Sequence, residues 1–257
     1  MDLPQGFHSQ GENLVDRLVK SLYGLKQQSQ HDHSLFTKHS KQGTVIILVY
    51  VDDMLIAGDS LEQILETKTA LQNAFKMKDL GELKYFLGIE FARSSKGITM
   101  HKRKYALELT SEAGLAASKP ANTPIDINVK LTSRQYDETI KDKVYIEEDP
   151  LTDQSGYHRL IRKLLYLTVT RPDISFAVQT LSQFLQDPKK SHMDVALRIM
   201  RYIKKQPGQG LLLSSKFRNE ITEFCDADWA SCPITRRFVT GFMIKFGDSL
   251  VSWKSKK

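Results

Sequence analysis

Apolar and polar positions divide this chain into stretches of different period. From Thr44 to Gly58, β-branched and aliphatic residues surround two adjacent carboxylates, Asp52 and Asp53, in "VIILVYVDDMLIAGD". The stretch predicts two strands folded around a two-residue Asp-Asp connection, because Asp tolerates the dihedral angles of tight turns. "SLEQ" (Ser60 to Gln63) has the form of a capping box, and Leu61, Ile64, Leu65, Leu71 and Phe75 follow at helical spacing. "ELKYFLGIEF" predicts a further strand leading through Gly97 to "ITM" in a second hairpin. "KYALELTSEAG" predicts a short helix closed by Gly114. Residues 116–154 hold Pro120, Pro124 and Pro150 without a sustained period and predict a long connection.

The most regular region comes next. Leu160, Leu164 and Leu167 share one face, with Arg159, Arg162 and Lys163 on the other. Pro172 in "TRPDI" marks a helix start, followed by Ile174, Ala177, Val178, Leu181 and Leu185. "SHMD" from Ser191 resembles a second capping box; Ala196, Ile199, Met200 and Ile203 form the stripe behind it, with Arg198, Arg201, Lys204 and Lys205 largely off it. Three amphipathic helices with apolar core stripes and basic outer faces account for this pattern. Residues 211–253 alternate short apolar runs with turns and predict an antiparallel sheet. The first 40 residues are polar apart from "RLVKSLYGLKQ", and "QQSQHDH" (Gln27 to His33) has no period, so His31 and His33 are read as solvated surface.

Composition narrows the class. With 257 residues, 40% hydrophobic and 26% charged, the chain is a folded protein with room for two or three units, not a disordered one. Its longest apolar run, Val45 to Val51, is too short to span a bilayer, and no apolar signal follows Met1. Cys225 and Cys232 lack zinc or disulfide-framework spacing. An intracellular setting, cytoplasmic or nuclear and away from membranes, is therefore expected. The net charge of +7 is uneven: residues 1–92 carry 9 basic against 12 acidic side chains, residues 93–215 carry 20 against 13, and residues 216–257 carry 8 against 5. A basic middle and tail beside an acidic head suit a polyanion held away from the carboxylates, with a merely solvated surface as the alternative.

The paired aspartates carry the chemistry. Two neighbouring carboxylates repel and lose hydration inside an apolar run. Exposed at the tip of a hairpin, they offer hard oxygen ligands to divalent cations. Two such ions about 3.5–4 Å apart would activate a 3′-hydroxyl and stabilise the leaving oxygen of nucleotidyl transfer. Successive strand residues point to opposite faces, so a sharp turn must bring both to the ions, or one is the ligand and the other a support. A purely structural turn is the alternative.

"YVDD" (Tyr50 to Asp53) resembles the catalytic hairpin of reverse transcriptases. Around it "PQGF", "LVKSLYGLKQ", "DHSLF", "LVYVDDMLIAG", "FKMKDLGELKYFLGIEFARSSKGI", "KYALELTSEAG", "LLYLTVTRPDISFAV", "LSQFLQDP", "ALRIMRYIK", "DADWASCPITRRFVTG" and "SWKSKK" resemble, in order and over nearly the whole chain, the polymerase region of copia-type retrotransposon polyproteins. The resemblance implies an α+β fold. Residues 1–92 would form a partial palm (an antiparallel sheet with helices), 93–154 a thumb-like segment and linker, 155–210 a basic helical connection, and 211–257 the first strands of a truncated ribonuclease H-like sheet. Asp52 and Asp53 would be catalytic and bind Mg²⁺ or Mn²⁺, and Tyr50 and Val51 would lie under the primer terminus. Tyr23 to Gln27, with Gly24, Lys26 and Gln27, would belong to the template and incoming-nucleotide pocket. "YFLGIEF", with Phe86, Leu87 and Gly88, resembles the primer grip, ordinary strand packing being the alternative for Phe86, Leu87 and Ile89. Asp226 in "FCDADWA" would be the first metal-binding acid of the ribonuclease H domain, ahead of Asp228. The partners implied are an RNA template and DNA primer, or their hybrid, with a deoxynucleoside triphosphate. Arg162, Lys163, Arg198 and Arg201 on the basic helices would grip phosphates without reading bases.

The chain also departs from the family. A third palm aspartate belongs on a strand upstream of "PQGF", and no residue here, Asp2 included, takes that role. The family's palm helix between "LYGLKQ" and "DHSLF" is omitted, so an open apolar sheet face is expected. The remaining ribonuclease H acids belong beyond "SWKSKK", and Ser231 and Phe238 replace smaller family residues. The expectation is a reverse-transcriptase fragment, a two-metal nucleotidyl transferase by ancestry and inactive alone. A non-catalytic nucleic-acid-binding remnant, or a relic without function, is the alternative.

Overall fold

A computed structural model describes residues 26–27, 34–75, 77–126, 128–140, 149–216, 218–228 and 239–256. The chain divides into two compact units, residues 1–86 and 87–257. It mixes antiparallel sheets with helices, six of them α-helices among the described residues.

In the first unit, strands β1 (Lys26–Gln27), β2 (Leu35–Ser40), β3 (Gly43–Tyr50) and β4 (Asp53–Gly58) form one sheet in that order. Helix α1 (Leu61–Ala74) follows, and β5 (Tyr85–Phe86) ends the unit. The two-residue period of β3 decides what the sheet buries. Val45 and Ile47 are fully buried against Leu71 of α1, with Phe36, Val49, Met54, Ile56 and Phe75 around them. The alternate residues, Ile46, Leu48 and Tyr50, pair with Ala57, Leu55 and Asp53 on the opposite face, where Ile46 and Tyr50 stand 39% and 54% exposed.

Ser60 caps α1, its hydroxyl accepting from the Gln63 amide at 3.5 Å. The reciprocal bond of a capping box is replaced: the Gln63 amide group turns to Ser40 Oγ and Gln42 Oε1 instead. The predicted stripe is correct at Leu71 and Phe75 but not at Leu61 and Leu65, which lie 72% and 53% exposed. The helix docks through its C-terminal half, and buried Gln63 anchors the N-terminal half by hydrogen bonds.

In the second unit, β6 (Ile89–Ser94) and β7 (Gly97–His101) form the predicted hairpin, extended by β8 (Leu211–Ser214). The strand expected over "ELKYFLGIEF" is interrupted, because Leu87 and Gly88 both take positive φ and end it after Phe86. Helix α2 (Arg103–Glu112) closes as predicted: Gly114 at φ 68° lets the Leu115 amide reach the Thr110 carbonyl and its own amide reach Ser111.

The residues 116–154 read as a connection contain a short helix, α3 (Arg134–Ile140), started by the Ser133 hydroxyl accepting from the Tyr136 amide at 3.2 Å. Helices α4 (Gln154–Leu167), α5 (Ser175–Leu181) and α6 (Lys190–Lys205) supply most of the core, and a 3₁₀ turn at Pro172–Ile174 leads into α5. Tyr157, Ile161 and Leu164 of α4, Val178 and Leu181 of α5, and Ala196, Ile199 and Ile203 of α6 are buried together. Each large side chain so buried contributes about 1.5–3 kcal/mol. Strands β9 (Ile221–Asp228), β10 (Val239–Phe246) and β11 (Ser249–Lys256) form a separate antiparallel sheet with β10 central. Its strand β11 lies against α5 and β8, where the Ser214 amide donates to Ser249 Oγ at 2.9 Å.

The start of α6 differs from the sequence expectation. The helix begins one residue before Ser191, so "SHMD" is not its cap. The Ser191 amide is taken by the Asp149 carboxylate and the Lys189 amide by His192 Nδ1, each at 3.0 Å. His192 is fully buried, its Nε2 bonds the Thr132 carbonyl at 3.1 Å, and its ring stacks on Phe184. Lys189 Nζ reaches Thr132, Asp137 and Asp149, which ties α3 and residues 149–150 to the helix. Both nitrogens of a neutral His192 are satisfied; a second proton would displace the Lys189 amide. Burial, followed by the Lys189 charge, pushes the imidazole down to about 4. The unfolded chain therefore binds the extra proton first. Stability is expected to be complete above about pH 6.5 and to decline as pH falls toward 4. His192→Asn, which keeps an acceptor near the Nδ1 position, should flatten that slope in urea-denaturation midpoints measured across the window.

Candidate active site

The strongest candidate is the tip of the β3–β4 hairpin. Tyr50 pairs with Asp53, so the two-residue connection is Val51–Asp52 and not the expected Asp52–Asp53. Packing explains the shift. This register sets Ile47 against Ile56, Leu48 against Leu55 and Val49 against Met54. An Asp-Asp connection would slide β4 by two residues and place Gly58 opposite Ile47. The cost falls on Val51, a β-branched residue held at φ 51°, a conformation worth about 1–3 kcal/mol of strain.

Tyr50, Val51, Asp52 and Asp53 are all exposed. Asp53 belongs to the face opposite α1, and Asp52 lies in the turn, free of the alternation that would set strand neighbours on opposite sides. Two solvated carboxylates on a rigid two-strand arm are hard oxygen donors of the kind a divalent cation takes. Among the described residues, no cluster of three or more Asp, Glu, His or Cys is arranged to hold a metal.

The other predicted residues fall in separate places. Gly24 lies outside the described residues, and Lys26 and Gln27 form β1, opposite Thr37 and Phe36. Phe86 is buried at the end of the first unit. In the second unit, Leu87 and Gly88 form a turn with φ of 50° and 77°. Asp226 is exposed on β9 opposite Gly241, whose missing side chain leaves its flank open. Asp228 ends β9, and Val51 remains the only β-branched residue at positive φ among those described.

Four basic candidates divide into two kinds. Arg162 of α4 is exposed, as is Arg159 beside it, and Lys163 pairs with Glu112. Ser155, His158, Arg159, Arg162 and Lys163 line one shallow depression on the helix. On α6 it is the Arg198 side chain and the Arg201 backbone that bond the chain crossing them. Arg198 Nη2 donates to Thr123 Oγ1 at 3.0 Å, and the Arg201 carbonyl accepts from the Ala121 amide.

Sequence reasoning missed Tyr166. It lies seven residues after Arg159, on the same helix face, and its hydroxyl donates to the Leu87 carbonyl at 3.1 Å. Lys102, almost fully buried, sets its ammonium 3.0 Å from the centre of that ring and 3.3 Å from the Tyr166 carbonyl. Burial pushes its pKa down to about 8. Periodicity from the basic positions of α4 could have singled out Tyr166. No local signal marks a lysine that tertiary packing encloses.

A family model described as reverse transcriptase (RNA-dependent DNA polymerase) matches residues 27–127. The chain is 35% identical, over 277 aligned positions and its full length, to a retrovirus-related Pol polyprotein from transposon RE1 of Arabidopsis thaliana. It is 31% identical over its full length to that from transposon TNT 1-94 of Nicotiana tabacum. It spans 18% and 21% of those two polyproteins. An uncharacterized mitochondrial protein of Arabidopsis thaliana is 34% identical over 82% of this chain and 82% of its own. No solved structure matches.

The Leu87–Gly88 turn gives a test of the tertiary link to α4. A methyl group on Gly88 would sit 2.1 Å from the Tyr166 hydroxyl oxygen and 3.4 Å from the ring carbon that bears it. Gly88→Ala should destabilise the protein by at least about 1 kcal/mol through the positive φ alone. Adding Tyr166→Phe should recover part of the loss, giving a favourable coupling in a double-mutant cycle read by urea denaturation.

Proposed function

This chain belongs to the copia-type retrotransposon reverse transcriptases, RNA-dependent DNA polymerases, and from that membership we propose that it is a segment of a two-metal nucleotidyl transferase which binds template and primer but does not extend the primer alone. One observation carries the reading: Tyr50-Val51-Asp52-Asp53 forms a strained, solvent-facing hairpin tip with both carboxylates exposed. The register that strains Val51 also fixes the tip with both carboxylates in solvent, which supports a functional tip.

In this reading Asp52 and Asp53 hold Mg²⁺ or Mn²⁺, which when bound supplies charge stabilisation and activation of the attacking oxygen. Tyr50 presents its half-exposed ring beside the carboxylates and supports the primer end. Leu87 and Gly88 act as a primer-grip turn. Asp226 is a metal-binding acid of the ribonuclease H portion, on β9, an edge strand among the described residues. The partners are an RNA template and DNA primer, or their hybrid, with a deoxynucleoside triphosphate at the active tip.

The inactivity of the isolated segment is supported by length. The alignment to the Arabidopsis polyprotein runs 277 positions against 257 residues, so 20 positions of the alignment have no counterpart here. The alternative, a nucleic-acid-binding remnant whose carboxylates are ancestral only, is favoured by the exposed arginines of α4.

Primer extension on an RNA template with a DNA primer, in Mg²⁺ and then Mn²⁺, tests the reading against Asp52→Asn/Asp53→Asn. Neither protein is expected to extend the primer, and both should bind the hybrid with affinity that falls steeply with salt. Extension by the unaltered chain that the double variant loses would assign the aspartates and overturn inactivity. Failure to bind at low salt would sink the binding half.

A further inference from the structure

The basic residues of α4 and α6 are equally prominent in the sequence, but the second unit uses them differently. Three of those on α6 bond residues 115–126: Arg198 donates to Thr123 Oγ1, Lys204 Nζ meets the carbonyls of Leu115, Ala116 and Ser118, and Lys205 donates to Asn122 Oδ1. On α4 the opposite holds. Arg159 and Arg162 are exposed and make no ion pair with a described residue. Two guanidiniums on one helix face, with Lys163 beside them, form a positive stripe that no acid among the described residues neutralises except Glu112 at Lys163.

The stripe has direction. Positions 159, 162, 163 and 166 are spaced three and four apart and so share one side of the helix. Arg159 to Tyr166 spans seven residues, about 10 Å along the axis. At its far end the Tyr166 hydroxyl holds the Leu87 carbonyl, so the basic stripe runs into the Leu87–Gly88 turn within one compact unit. His158 is anchored at the stripe's start, its Nε2 at 2.5 Å from the Leu185 carbonyl, and Asp153 caps the helix there. The arginines are thus presented from a helix fixed at both ends.

We infer that this face of α4 is a phosphate track whose two arginines each hold a phosphate of one strand and lead it to the Leu87–Gly88 turn. The inference rests on the nucleic-acid-binding reading above and adds where the strand lies. The contacts are to phosphate, so they position the strand without reading its sequence. The rigid, planar guanidiniums suit bidentate phosphate contact, which a lysine in their place could not reproduce.

The test uses the full chain and a fluorescein-labelled 20-base-pair RNA–DNA hybrid, with affinity measured by anisotropy from 25 to 200 mM KCl. Each phosphate contact contributes about 0.9 to the slope of log affinity against log salt on a duplex. Arg159→Gln/Arg162→Gln should therefore reduce that slope by about 1.8. Lys38→Gln/Lys41→Gln removes the same charge from exposed positions of the other unit and should change it by less than about 0.5. Equal reductions in the two variants, or an unchanged slope in the arginine variant, would overturn the track while leaving nucleic-acid binding intact. No binding by the unaltered chain would instead overturn the reading on which the track rests, and the track with it. Both arginines are exposed, and unchanged urea midpoints would tie the loss to contact and not to unfolding.

Discussion

The helical unit turns on one buried cation. Arg171 is 1% exposed, and its Nε and Nη2 hold both oxygens of Asp173 at 2.9 and 2.8 Å. Its Nη1 donates to the Gln206 carbonyl at 3.2 Å, and its amide closes α4 on the Leu167 carbonyl. One residue, through its amide and its side chain, thus fixes the end of α4, the entry to α5 and the end of α6. Leaving such a buried charge without its partner costs about 3–5 kcal/mol, more than any single apolar contact in the core. The helix crossings that bury Ile161, Val178 and Ile199 are therefore set by a polar lock, and the position of α4's outer face follows from it.

The same unit resolves an ambiguity in its own charge. An excess of basic residues in the middle of the chain says nothing about which are free. Arg198, Lys204 and Lys205 on α6 complete the hydrogen bonding of a segment that has almost no secondary structure of its own, and Arg159 and Arg162 on α4 remain in solvent. Net charge describes the whole stretch; the consequences belong to individual side chains.

Much of this architecture is legible in the sequence, and the errors have physical causes. Leu164, Leu167, Ile199 and Ile203 announce the helical core by period, and Gly114 announces the end of α2. The β3–β4 hairpin is visible too, but its connection is displaced by one residue, because cross-strand packing of Ile47 and Leu48 outweighs the turn preference of Asp. Leu61 and Leu65 mislead because a polar anchor, Gln63, decides how α1 meets the sheet. The apparent cap at Ser191 fails for a similar reason: Asp149, forty-two residues away, supplies the acceptor. The site follows the same division. The paired aspartates stand out locally, whereas the roles of Tyr166 and Lys102 depend on partners distant in the chain and no window of sequence contains them.

Lys204 shows what such long-range bonding means for inheritance. Its ammonium meets three carbonyl oxygens at 3.2, 2.5 and 2.7 Å, a converging geometry that a compact group with three rotatable donors satisfies. A flat guanidinium spreads its donors in one plane and cannot aim three of them at one point. Lysine and arginine carry the same charge, and exchanging them changes little at most surface positions. At this one the exchange would loosen a dozen residues of strap, a sensitivity that the charge of Lys204 alone does not reveal.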